Sequence, residues 1–257
     1  MPEHDSVTRD LRRSPGDRRM KAILVLVATL AFVASPYFSA GFSGFDPEAF
    51  PIPQISPPIQ PAGYAFAIWG LIYLWLILHA GFGLLRRADD PAWDAGRWPL
   101  FVSLGVGSGW IAVANTDPVW ATMLIWVMLL GALAALFLTP ARPPARDRWL
   151  AQAPLAIYAG WLSAASWVSV GLLLAGYGLT GERAAALVVL PLAVGFTLVI
   201  QARLPRAPEY GLTVIWALAA IAQANLGTDL LLAALASLGA LAIAALLMRS
   251  LRPASGA

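Results

Sequence analysis

Residues 119–139 read VWATMLIWVMLLGALAALFLT, an apolar stretch that contains no charged side chain. A helix of about 20 apolar residues is long enough to cross the hydrocarbon core of a bilayer. A membrane β-strand would instead alternate apolar and polar residues with a period of two, and this stretch shows no such alternation. The stretch therefore predicts a transmembrane helix.

Comparable apolar stretches run along the whole chain of 257 residues, of which 59% are hydrophobic and 12% charged. An ordinary soluble domain carries about 25% charged residues, so too few remain here to cover a water-facing surface. We predict an all-α integral membrane protein with about eight transmembrane helices. The predicted spans are Lys21–Ala40, Ala62–Leu85, Pro99–Ala114, Val119–Thr139, Ala151–Gly176, Ala184–Gln201, Tyr210–Ala224 and Leu230–Met248. The third and seventh are short, which is compatible with a different tilt or with partial, re-entrant insertion.

The basic residues are distributed unevenly between the two sides that these spans define. With a cytoplasmic N-terminus, the two tails and the connections after the even-numbered spans hold 16 of the 17 Lys and Arg residues, and only Arg183 lies opposite. This contrast follows the positive-inside rule and predicts that both termini are cytoplasmic. Topology thus accounts for the basic excess, and no nucleic-acid partner is expected. The first span also resembles a signal peptide, but small residues at a cleavable spacing are poor near residues 34–36.

The predicted spans contain few groups that carry out chemistry. The chain has no cysteine, and no Asp, Glu or Arg lies inside a predicted span away from its ends. Ion-coupled transport, hydrolysis by paired carboxylates and a metal site are therefore disfavoured. His79 is either a helix-packing residue or a ligand contact. Gly105 and Gly109, four residues apart, predict a close approach between two helices.

Residues 57–73 read PPIQPAGYAFAIWGLIY, in which a proline-rich loop leads directly into the second predicted span. Phe66, Trp69 and Tyr73 recur at positions i, i+3 and i+7, which lie on one face of a helix. Three aromatic rings on one face form a broad and rigid wall, and such a wall suits a flat apolar ligand.

This motif resembles the TspO/MBR family, the tryptophan-rich sensory proteins that include the mitochondrial translocator (peripheral benzodiazepine receptor) proteins. The resemblance covers about residues 20–178, and three positions differ from the family pattern: Gly107 and Ser169 stand for asparagines, and Ile157 stands for a proline. The positions that fit the pattern are Pro57, Pro58, Tyr64, Phe66, Trp69 and Tyr73 of the second helix, Trp110 of the third, and Tyr158, Trp161 and Ala165 of the fifth.

The resemblance implies a five-helix core over residues 21–178, followed by an additional three-helix membrane unit over residues 179–250. Residues 1–20 and 251–257 are expected to be cytoplasmic tails. The chain is similar to a longer, bacterial-type branch of the family, so the expected location is the bacterial cytoplasmic membrane. The small-residue-rich last span is a candidate homodimer face.

The resemblance also implies a hydrophobic small-molecule ligand, either a tetrapyrrole such as haem or protoporphyrin or a sterol-like molecule, and a membrane-lipid environment. The expected role is a sensor or carrier without an obligatory cofactor. Two alternatives stay open: an uncoupled permease for small amphipathic molecules, and a porphyrin-degrading membrane enzyme. The predicted ligand-binding residues are Tyr64, Phe66, Trp69, Tyr73, Trp110, Tyr158, Trp161, Ala165 and Ser169.

Aromatic residues outside the spans allow further predictions. Phe42, Phe45 and Phe50 of the first loop either lie on the bilayer surface or form a lid over the ligand site. Three tryptophans in or beside the basic connections are predicted to anchor the chain at the membrane interface. They are Trp93, Trp98 and Trp149.

Overall fold

The computed structural model describes residues 15–39 and 42–251, and these residues form helices and connecting segments without a β-strand. Most of the predicted tail 1–20, Ala40 of the first predicted span and residues 252–257 lie outside the described residues. Eight long helices coincide with the eight predicted apolar segments. They are α1 (Pro15–Phe38), α2 (Ile68–Arg86), α3 (Arg97–Ala114), α4 (Pro118–Phe137), α5 (Ala153–Gly176), α6 (Glu182–Arg203), α7 (Pro208–Asn225) and α8 (Leu230–Leu251).

Helix α4 shows how local sequence sets a helix boundary. The carboxylate of Asp117 accepts hydrogen bonds from the backbone N–H groups of Val119 and Trp120, at 2.9 and 3.1 Å. Pro118 occupies the first helical position, where its missing N–H group costs nothing. The asparagine, threonine and aspartate that precede Pro118 separate α3 from α4, so the chain reverses within three residues.

Six of the eight helices are long and apolar enough to cross a membrane: α1, α2, α4, α5, α6 and α8. The other two, α3 and α7, each have 18 residues. Arg97 and Pro99 lower the hydropathy at the start of α3, and Glu209 does so at the start of α7. Both are continuous helices that pack against long apolar neighbours.

Five helices close a ring in the order α1, α2, α5, α4, α3, with α3 returning to α1. Helix α5 also packs against α6 and α7 on the outside of the ring, and α8 covers α6 and α7. The cap segment, defined here as residues 42–62, connects α1 to α2 across one end of the ring. The opposite end, which carries Lys21, Asp94, Arg97 and Asp147, is called the charged end below.

The prediction that Gly105 and Gly109 allow a close helix approach was wrong. An added Cβ at either position would meet no atom within 4 Å, because both glycines lie on the exposed face of α3. The close contacts are made by other glycines. A Cβ at Gly131 of α4 would lie 2.7 Å from the carbonyl oxygen of Pro99, and one at Gly160 of α5 would lie 2.5 Å from that of Tyr210.

Candidate functional site

The interior of the ring is filled by aromatic side chains. Phe32 of α1 packs edge-on against Trp69 and Tyr73 of α2, with ring centroids 5.8 and 5.3 Å apart. Trp69 and Tyr73 stack on each other at 5.3 Å, and Tyr158 of α5 lies 5.7 Å from Phe32. Edge-to-face and offset-stacked pairs at these distances are attractive beyond the apolar area that they bury. This part of the interior is a packed aromatic layer.

The aromatic contacts continue toward the cap segment. Trp161 of α5 contacts both Trp69, at 6.2 Å, and Phe66, at 5.7 Å. Phe42 of the cap segment contacts Phe66 at 6.3 Å and Trp110 of α3 at 4.7 Å. The contacts form one continuous network, called the aromatic cluster below, that joins four ring helices and the cap segment.

The structure brings together six of the nine predicted ligand-binding residues in the aromatic cluster. They are Phe66, Trp69, Tyr73, Trp110, Tyr158 and Trp161. Ala165 and Ser169, one and two turns beyond Trp161, line a cavity beside the cluster. Tyr64 lies apart from them: its side chain is 47% exposed and packs edge-on against Trp216 of α7, outside the ring.

The cavity beside the cluster lies between Phe42 and Phe45 of the cap segment and Trp110, Trp161 and Val168 of the ring. Its volume is about 50 Å³, whereas sites for drug-sized ligands measure roughly 300–1,000 Å³. In this conformation the cap phenylalanines fill the space that a larger ligand would need.

Several polar groups at the site are hydrogen bonded within the bundle. Ser103 of α3 donates its hydroxyl hydrogen to the carbonyl oxygen of Met128, at 2.7 Å. The 3.0 Å contact between Ser103 and Tyr158 is therefore donated by the tyrosine hydroxyl. Trp110 donates to the carbonyl oxygen of Ala121 at 2.8 Å, and Ser169 donates to that of Ala165 at 2.9 Å. What remains at the cavity surface is mostly apolar, which favours binding by shape and dispersion.

The phenylalanines of the cap segment pack against the bundle. Phe45 and Phe50 are 8% and 4% exposed, and their rings contact each other at 5.9 Å. An added Cβ at Gly176 of α5 would overlap the Phe50 ring, so this glycine makes room for the phenylalanine. Of the two alternatives for these phenylalanines, the structure supports a lid.

Helix α7 holds the cap segment in place from outside the ring. Asn225 donates to the carbonyl oxygen of Pro58 at 2.8 Å, and the Ala62 N–H group donates to that of Ala220 at 3.2 Å. Trp216 donates to the carbonyl oxygen of Ala65 at 3.1 Å. Helix α7 thus contributes directly to holding the cap segment over the ring.

One aromatic residue at the centre of the site, Phe32 of α1, was missed by sequence reasoning. Phe32 lies within an ordinary apolar span, and nothing in the sequence distinguishes it from its neighbours. The glycine at position 107 of α3 is the sequence feature linked to Phe32, because a Cβ at that position would lie 2.8 Å from the Phe32 ring. The phenylalanine occupies space that a larger residue at position 107 would take.

A second cavity, of about 40 Å³, lies within the ring near the charged end. His79 lines it and shares a hydrogen bond of 2.8 Å with the carbonyl oxygen of Leu150, so its Nδ1 carries the hydrogen. Leu150 belongs to a π-helical turn, Arg148–Gln152, that precedes α5. Trp93 stacks on His79 at 5.1 Å and is only 9% exposed. The prediction that Trp93 is an interfacial anchor was therefore wrong; Trp98 and Trp149 are 45% and 51% exposed.

Buried ion pairs fix the charged end. Lys21 of α1 and Asp94 meet at 2.8 Å, and both side chains are less than a tenth exposed. Arg97 donates to the carbonyl oxygens of Arg18, Ala88 and Arg87 at 2.7–2.8 Å. These contacts tie α1 and α3 to the connection between α2 and α3, at the end of the ring opposite the cap segment.

The all-helical ring with its aromatic interior defines a helical membrane protein with an enclosed apolar site. The family model of the TSPO-like proteins matches residues 22–249, most of the chain and part or all of every long helix. The chain belongs to the TSPO-like protein family. Searches of curated proteins and of solved structures gave no significant match.

Proposed function

We propose that the chain is a membrane sensor or carrier that binds a flat hydrophobic molecule, a tetrapyrrole such as protoporphyrin or haem or a sterol-like compound, inside the ring. The observation that carries this proposal is the aromatic cluster, in which side chains from four ring helices and the cap segment meet around a cavity. Large aromatic faces in an enclosed apolar space favour a flat polarizable guest over a charged one.

We also propose eight crossings of a bacterial inner membrane, with both termini in the cytoplasm. Helices α3 and α7 are each about 27 Å long at 1.5 Å per residue, close to the thickness of the hydrocarbon core. Alternate connections carry the basic residues, which supports a cytoplasmic charged end. The cap segment would then face the opposite side.

Binding requires a conformational change, because a cavity of about 50 Å³ is far smaller than a tetrapyrrole. Phe42 and Phe45 occupy the adjacent space, so the smallest sufficient change is withdrawal of the cap segment. The hydrogen bonds from Asn225 and to Ala220 would have to break in this movement. Helix α7 would therefore set how readily the site opens.

The test is a titration of protoporphyrin IX into the full chain in lipid nanodiscs, followed by tryptophan quenching. Saturable quenching is expected. Trp161→Ala removes a ring that contacts Phe66 and Trp69, and this variant should bind protoporphyrin about tenfold more weakly or worse. Trp120→Ala is the matched control, because Trp120 is 60% exposed on the outside of the bundle. Quenching that never saturates, or that is weakened equally by both substitutions, would overturn the proposal.

A specific observation also supports an uncoupled permease as a second candidate. The two cavities lie within the same ring near its opposite ends, since one contacts Leu100 of α3 and the other contacts Trp110. These residues are about 15 Å apart along the helix. The aromatic layer around Phe32 separates the cavities, as a gate would. Flux of an amphipathic dye into proteoliposomes without an ion gradient, increased by Phe32→Ala, would support this candidate. Equal flux in protein-free liposomes would exclude it.

A further inference from the structure

A groove lies outside the ring, between α2 and α7. Both helices pack against α5, and the space between them, about 420 Å³, opens sideways toward the surface of the bundle. Its volume falls within the range of small-molecule sites. The groove is separate from the aromatic cluster, and its apolar walls are Ile68 and Leu71 of α2, Ile157 of α5, and Leu212 and Trp216 of α7.

One end of the groove carries Glu209, from the first turn of α7. The residue is 8% exposed, and its Oε1 accepts a hydrogen bond of 2.6 Å from Arg148. Its other carboxylate oxygen, Oε2, is buried without a hydrogen-bond partner. Nearly all buried polar atoms in proteins have a partner, and an unsatisfied one is destabilising. A donor supplied by a bound molecule would remove that destabilisation.

The other polar groups of the groove are occupied. Thr213 donates its hydroxyl hydrogen to the carbonyl oxygen of Glu209 at 2.8 Å. Trp216 donates its indole N–H to the carbonyl oxygen of Ala65 at 3.1 Å. Oε2 of Glu209 is thus the acceptor without a partner among the residues that line the groove, while Leu212 and Trp216 provide an apolar surface.

We propose that this groove binds an uncharged membrane amphiphile with a single hydroxyl head group. The hydroxyl donates to Oε2 of Glu209, and the apolar body lies along α7 as far as Trp216, a distance of about 10 Å over seven residues. An uncharged head fits better than an ammonium group, because Arg148 already balances the charge of Glu209. The lateral opening allows the molecule to enter from the lipid without passing through the cap segment.

The test uses a long-chain alcohol brominated along its chain, added to the full chain in nanodiscs, with its methyl ether as the matched probe. Bromine quenches the tryptophan that it touches. The alcohol should quench a saturable fraction that is absent in Trp216→Phe, and the ether should bind at least about fivefold more weakly because it has no hydrogen to donate. Leu212→Phe should narrow the groove and weaken binding of the alcohol. Leu192→Phe is the control, since Leu192 and Leu212 are 51% and 55% exposed.

Equal quenching by alcohol and ether would reveal ordinary lipid partitioning and overturn the proposal. Unchanged binding in Leu212→Phe would also overturn it. If the saturable fraction disappears in Trp161→Phe and persists in Trp216→Phe, the alcohol occupies the ring and not the groove. That outcome rejects this site while leaving the proposed function intact. If protoporphyrin fails to bind while the alcohol still binds at Trp216, the proposed function is rejected and this site stands.

Discussion

The side-chain amide of Asn225, at the end of α7, donates a hydrogen bond of 2.8 Å to the carbonyl oxygen of Pro58 in the cap segment. Asn225 is 1% exposed, and the same nitrogen lies 2.8 Å from the carbonyl oxygen of Ile221. The bond crosses from a helix outside the ring to the segment that closes the ring. The cap segment is therefore held by α7 as well as by α5.

Asn225→Leu is expected to loosen the cap segment. The substitution leaves the carbonyl oxygen of Pro58 without its partner, at a cost of about 1–3 kcal/mol. Amide hydrogen exchange should become faster in residues 42–62 and stay unchanged at the charged end. Gln223→Leu, on the exposed side of the same helix, should leave exchange unchanged. Equal exchange in the two variants would show that the hydrogen bond does not hold the cap.

Gly107→Ala is expected to destabilise the aromatic cluster. The new Cβ would lie 2.8 Å from two atoms of the Phe32 ring and 3.0 Å from Met128, so the phenylalanine must move from its contacts with Trp69 and Tyr73. Overpacking of this kind costs about 1–3 kcal/mol. Thermal unfolding in detergent and near-ultraviolet circular dichroism measure the loss of stability and of aromatic packing.

Gly105→Ala and Gly109→Ala are the matched controls for this experiment. Both glycines lie in α3, and an added methyl group meets open space. Alanine is favoured over glycine by about 1 kcal/mol in a helix, so these variants should be as stable as the parent chain or more so. A loss of stability at positions 105 and 109, with none at 107, would mean that α3 is rotated relative to the structure.

The sequence predicts the eight helices because each is a long apolar stretch bounded by prolines, glycines or charges. It also predicts six of the residues in the aromatic cluster, because Phe66, Trp69 and Tyr73 share a helix face and match a family motif. Tyr64 belongs to the same motif, and like Phe66 it lies in the 3₁₀ turn Gly63–Ala67 before α2. The two side chains nevertheless point in different directions: Phe66 contacts Trp161 inside the ring, and Tyr64 packs outside it against Trp216. A match to the motif does not by itself determine which of its residues face the site.

The remaining features depend on contacts between distant residues, which no local pattern encodes. Phe32 is central only because Gly107, 75 positions later, leaves room for it. Trp93 is buried only because a single helical turn after α2 folds back onto His79. The spacing of Gly105 and Gly109 shows that the two glycines share a face of α3, but it does not show which way this face points. In the ring, this face of α3 points outward.

Removing Asp94 should be more harmful than removing Lys21. Asp94 lies 2.8 Å from Lys21 and 3.5 Å from Arg97, so Asp94→Leu leaves two buried cations without this anion. Lys21→Met leaves Asp94 with Arg97. Breaking a buried pair by removing one partner costs about 3–5 kcal/mol, and the aspartate variant should lie at the upper end or beyond. Unfolding by dodecyl sulfate in mixed micelles compares the variants, and a larger loss for Lys21→Met would contradict this arrangement.

Acid should weaken the contact between the starts of α6 and α8. Arg183 donates to the carboxylate of Asp229, which lowers the pKa of Asp229, and the other carboxylate oxygen accepts from the N–H groups of Leu231 and Leu232. A carboxylate whose folded pKa is lowered stabilises the fold above its unfolded pKa of about 3.9, and this stabilisation is lost as the pH falls through the folded value.

Asp229→Asn isolates this effect, because the amide oxygen still accepts from the backbone while the charge is gone. The variant should have a lower melting temperature than the parent chain at neutral pH. This gap in melting temperature should close as the pH falls below about 4. Asp46→Asn is the control: Asp46 also accepts from a backbone N–H group, of Glu48, and no ion pair with it occurs among the described residues. Melting curves between neutral and acid pH measure both gaps. If the Asp229 gap stays constant down to about pH 3, the ion pair with Arg183 does not form in the membrane-embedded protein.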